Sequence, residues 1–151
     1  TRMLNAMAAC LKHLERYPEA ATYFSRVAHE AQAHNDPYKT MEALFSESQC
    51  LSSTGQNQKA REGFAKVIQL ANKLFPKASG WQNDATFYIG ETYYKEGNYT
   101  KARQVLKTIQ GRLFMTHFDI TPRNLDNEMA IMLGNCDRQI LEEQLRKRMS
   151  E

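Results

Sequence analysis

The sequence predicts an all-α fold, a short stack of helical hairpins, and three observations carry that prediction. Apolar residues recur at three- and four-residue spacing along most of the chain. No run alternates with period two, and no Asn-Gly or Asp-Gly pair offers a β-hairpin turn. The stretches 14–28, 53–68 and 95–109 align on their turns, each giving Ala, a large apolar residue and then a β-branched one. These sets are Ala20/Phe24/Val27, Ala60/Phe64/Val67 and Ala102/Leu106/Ile109.

Proline and glycine punctuate the chain into seven predicted helices, over 2–15, 18–34, 37–54, 57–75, 81–96, 99–115 and 122–149. Pro18, Pro37 and Pro122 suit first helical turns, where a missing N–H costs nothing. Asp36 and Thr121 precede two of them as N-cap candidates, with side chains that can accept from the first free amides. Pro76 follows an apolar-periodic run and is expected to stop it. Gly55 and Gly97 each close a helix. The short loops imply antiparallel neighbours.

Composition narrows the class. The chain has 151 residues, 42% apolar and 25% charged, enough for one domain with a modest core and too apolar for disorder. Its longest unbroken apolar run is six residues, 6–11, far short of a membrane span. The net charge is +3, split as −1, +2 and +2 over 1–50, 51–100 and 101–151. No third is basic enough to neutralise a phosphate backbone, so no nucleic-acid partner is expected. The one basic cluster, Arg146, Lys147 and Arg148, suits a solvated helix C-terminus. Three cysteines, with no C-x-x-C, make neither a disulfide framework nor a metal site. They point to a reducing, cytoplasmic setting.

Upstream of each turn the preceding helix also repeats, as Leu4/Met7/Ala8/Leu11, then Leu44/Ser48/Leu51, then Ile89/Gly90/Tyr93. The small residue in the middle is where two closely packed helices would otherwise be forced apart. This pattern resembles the tetratricopeptide repeat (TPR), with G-x-x-Y in the first helix and A-x-x-x-F in the second. Gly90, Tyr93 and Ala102 match best. Ala8 and Ser48 stand for the glycine, Leu11 and Leu51 for the tyrosine, and Glu47 stands where an apolar residue is usual. The equivalent alanines lie 40 and 42 apart, so the units are lengthened, as in kinesin light chains and some bacterial regulators. The implied fold is a TPR-like α-solenoid with units at 1–34, 41–74 and 83–116, and a capping helix at about 122–149 with one wet face. Cys10, Cys50 and Cys136 each fall two residues after a small packing position and are expected to be small buried groups.

No catalytic chemistry is expected. His29 and His34 lie five apart, rotated by roughly 140° on a helix, and cannot share a metal. Cys10 and His13 could meet, but nothing local orients them as a nucleophile and base. No phosphate-binding or nucleophile-elbow motif occurs. Hence no enzyme activity, metal or cofactor is assigned.

The resemblance implies instead a concave groove lined by the first helices. Carried over by position, its strips are Arg2, Asn5, Ala9, Lys12 and His13; Glu42, Phe45, Gln49 and Ser52; Asp84, Phe87, Glu91, Tyr94 and Lys95; and Glu128, Ile131, Asn135 and Arg138. Phe45 and Phe87 would stack along its floor, though both also suit the core. Tyr38 and Trp81, in the extensions between units, are expected to pack on the next helix pair. The Lys and Asn with which chaperone-binding members hold a C-terminal carboxylate are missing, Asn5 and Ala9 standing there. The expected role is a non-catalytic scaffold or adaptor that binds a protein or peptide. The alternative is a regulatory or sensor arm of a longer chain, which the initial Thr invites.

Overall fold

A computed structural model describes residues 2–75, 77, 80–112, 114 and 124–151. Those residues form seven helices: α1 (Arg2–His13), α2 (Tyr17–Ala33), α3 (Pro37–Ser53), α4 (Asn57–Leu74), α5 (Gly80–Lys95), α6 (Tyr99–Lys107) and α7 (Leu125–Met149). Among them no strand occurs. Each helix packs mainly on its neighbours in the chain, with further contact between α3 and α5 and between α5 and α7. The architecture is an all-helical repeat solenoid, stabilised between adjacent hairpins rather than around one centre.

Four of the turns share one backbone solution. After α1, α2, α3 and α5 the chain passes through a left-handed residue: Glu15 (φ +60°), Asn35 (+55°), Gly55 (+81°) and Gly97 (+79°). Beside each, two amides close back on the helix. Gln56 N donates to Leu51 O at 2.9 Å and Gly55 N to Ser52 O at 3.1 Å; Asn98 N and Gly97 N do the same to Tyr93 O and Tyr94 O. This doubly bonded cap satisfies carbonyls the helix end would leave free. The next helix begins at once. Asp36 and Asn98 accept from Lys39 N and Lys101 N as N-caps.

Helix α6 is shorter than the expected 99–115. Its last turn tightens, Thr108 Oγ1 donating to Val105 O at 2.6 Å and Ile109 N to Leu106 O, and the chain then turns at Gly111 (φ +79°). The apolar register survives, because Ile109 is still buried. Helix α7 starts at Leu125 with Asn124 as its cap; Thr121, Pro122 and Pro76 lie outside the described residues.

The core follows the repeat. Ala20, Ala60, Ala102, Phe24, Phe64 and Leu106 are all buried. Ala8 and Ser48 are buried at the closest helix approaches, and Gly90 leaves room for Leu106, whose Cδ2 would lie 2.7 Å from an added Cβ. An aromatic cluster fills the middle. Phe64 and Tyr88 stack at 5.3 Å, and Phe45 meets Phe64, Trp81 and Tyr88 edge-on.

Three expectations are corrected. Cys50 and Cys136 are buried but Cys10 is exposed. Cys50 packs with Ala8, Ala20, Ala21 and Phe24 of the preceding hairpin, and no described helix covers that face of α1. Gly134, the small residue expected at a close approach on α7, has no described residue within 4 Å. The outer face of α7 is not simply wet: Ile131, Leu141, Leu145 and Met149 are all exposed on it.

Candidate functional site

An open groove of about 1200 Å³ runs along the described helices. Helices α1, α3 and α5 supply most of its wall, because the small residues between each first helix and its partner hold the hairpins at a constant pitch. Of the residues assigned from sequence, Asn5, Lys12, Glu42, Phe45, Gln49, Glu91 and Lys95 line it, together with Arg2, Ala9, His13 and Ser52.

The remaining assignments lie elsewhere. Asp84 and Phe87 are buried, Phe87 completely, with its ring against Tyr88 and Phe114. Phe45 and Phe87 therefore do not stack along a floor. Phe45 is a core residue, 5% exposed, whose edge reaches the groove. Tyr94 packs edge-on to Tyr99 and accepts a hydrogen bond from Asn135 Nδ2 at 2.8 Å. Arg138 donates to Asn135 Oδ1. None of these three lines the groove, whose wall includes Glu91 and Lys95.

Several wall residues escaped the sequence reading. Val27 and Glu30 of α2, His34 just after it, and Trp81 and Tyr88 of α5 face the groove. The resemblance implies a wall of first helices alone, yet α2 runs for 17 residues and reaches the wall along its length, at Tyr17, Phe24, Val27, Glu30 and Ala31. The long extension before Pro37 was the available signal. Trp81 and Tyr38 lie in the first turns of α5 and α3, inside the predicted helices, and meet edge-on at 6.0 Å.

Polar ties join successive first helices. Lys12 Nζ donates to Gln49 Oε1 at 2.6 Å, and Lys95 Nζ to Ser52 Oγ at 3.1 Å, with Glu91 3.9 Å away. On the other side, Arg61 donates to Glu96 Oε1 at 2.7 Å and lies over the Tyr93 ring at 4.3 Å. Arg103, its repeat equivalent, pairs with Asp137 at 2.7 Å.

Glu42 is different. It is partly buried in the wall and makes no hydrogen bond or ion pair with a described residue. Burial raises its pKa above the usual carboxylate value; Lys39 draws it down and Asp36 pushes it up. The histidines expected not to share a metal are both exposed, and His34 Nδ1 sits 2.8 Å from the carbonyl of Glu30.

Residues 84–112, most of α5 and all of α6, match the tetratricopeptide repeat family model. The third hairpin is thus similar to a tetratricopeptide repeat. The two hairpins before it repeat the same helix pairing outside the matched residues. No curated protein matches the chain significantly. The TPR fold is in general a non-catalytic protein-interaction fold. No helix among the described residues is long and apolar enough to cross a membrane.

Proposed function

We propose that this chain is a non-catalytic scaffold or adaptor module that holds a peptide or helix of a protein partner in the groove along α1, α2, α3 and α5. The groove itself supports the reading. At about 1200 Å³ it exceeds the usual size of small-molecule pockets, and charged and amide side chains line most of its length. A partner segment would meet aromatic edges from Phe45 and Trp81 and polar groups from Asn5, Gln49 and Glu42. That mixture of aromatic anchors and polar rim is common in protein interfaces.

Selection of peptides from a random display library on the whole chain tests it, with affinity then read from the emission of Trp81, the sole tryptophan. Glu42→Ala and Gln49→Ala should each weaken the selected peptides by about tenfold or more with unchanged far-UV circular dichroism. Enrichment of no peptide, or peptides indifferent to both substitutions, would count against the groove.

A further inference from the structure

Helix α7 exposes the face that α5 buries. On α5, Leu106 and Val105 of α6 press on Gly90. Gly134 stands forty-four residues later at the corresponding place on α7, with no described residue over it within 4 Å. Ile131 (56% exposed), Leu141 (55%), Leu145 (49%) and Met149 (86%) flank Gly134 on one stripe. At about 100° per residue they fall within roughly 60° of it. The opposite face of α7, with Met129, Leu133 and Cys136, is buried against the solenoid. A helix apolar on both faces is built to be covered on both.

We infer that the cover is a second copy of this chain, its α7 lying antiparallel on the first so that each lies on the other as α6 lies on α5. The hairpins of this protein are antiparallel, so a two-fold pairing reproduces the packing already used between α5 and α6. Setting Leu145 over the partner's Gly134, as Leu106 sits over Gly90, brings Met149 beside the partner's Ile131. The same register places Arg138 opposite the partner's Glu142, twice by symmetry. Asp137 does not oppose this, because it points to Arg103 on the solenoid side. The existing Glu142–Arg146 pair is long, 4.0 Å, and exposed, so it holds Glu142 only weakly. The contact is isologous and closes at two copies. A contact of α7 with the uncovered face of α1, where Met3, Met7 and Leu14 are exposed, would instead be heterologous and could not close at two copies.

Sedimentation velocity of the whole chain over a dilution series tests this. A reversible dimer is expected. Leu145→Asp should raise its dissociation constant by about a hundredfold or more, while Met7→Asp leaves it unchanged. Arg138→Glu should weaken the dimer, and adding Glu142→Arg should restore it, since the pair is then merely exchanged. Circular dichroism should be unaltered throughout, because these side chains are exposed in the single copy. A chain that stays monomeric at every concentration overturns the inference. So does a dimer that survives Leu145→Asp, one that Met7→Asp breaks, or a charge exchange that fails to restore association.

Discussion

Gly63 of α4 lies directly against Ser48 of α3. A Cβ added to Gly63 would overlap Ser48 Oγ and come 3.2 Å from Ser48 Cβ. Ser48 is 1% exposed and turns its hydroxyl inward to donate to Leu44 O at 2.7 Å, so neither partner can retreat. A glycine inside a helix costs about 1 kcal/mol relative to alanine. Close approach of the two backbones is what offsets that cost here.

Gly63→Ala should therefore destabilise the fold by about 1–2 kcal/mol, overpacking outweighing the gain in helix propensity. Ser48→Ala in the same chain should recover part of the loss by removing the overlapped hydroxyl. Urea unfolding followed by circular dichroism measures both.

The left-handed turn residues give a second test. Gly97→Ala forces a Cβ into φ +79° and should cost about 1 kcal/mol. Glu15 already carries that strain at φ +60°, so Glu15→Gly should stabilise by up to about 1 kcal/mol. The same urea curves should move in opposite directions for these two variants.

Glu47 occupies a first-helix position where an apolar residue would pack. Burial raises its pKa, and Lys66 lowers it only in part. A carboxyl group whose pKa is raised by folding favours the folded state when protonated. That contribution is complete below its unfolded pKa and lost as pH rises through the folded one. Glu47→Gln should thus raise the melting temperature at neutral pH, and the difference from the parent should shrink as pH falls through the carboxylate range. A difference that grows in acid would contradict the burial argument.

The cysteines should separate by reactivity. Burial pushes the Cys50 thiol up to about 11, with Lys12 lowering and Glu47 raising it, and burial also raises Cys136. Cys10 is exposed. A thiol reagent at mildly alkaline pH should label one cysteine of the native chain quickly and the other two only on unfolding, with mass spectrometry locating the fast site at Cys10.

Much of this architecture was readable from residue types and spacing. Ala20, Ala60 and Ala102, four residues before Phe24, Phe64 and Leu106, are buried as the repeat requires. Asp36 caps α3, and Gly55 and Gly97 end helices, because those roles depend on a few neighbouring dihedrals. Ser48 was legible as a small packing residue, but Gly63, the residue it makes room for, was not. A close approach has two sides, and only one falls in the first-helix motif.

The groove divides in the same way. Local sequence set which residues are helical, which face of each helix is apolar, and where hairpins turn, since propensity, periodicity and capping act within a few residues. Whether Phe45 and Phe87 meet solvent or the core, whether Cys10 is covered like Cys50, and how far α2 joins the wall depended on what the neighbouring hairpin brings against each face. Burial is a property of two surfaces meeting, and positions that repeat faithfully along a chain diverge wherever one hairpin lacks a neighbour that another has.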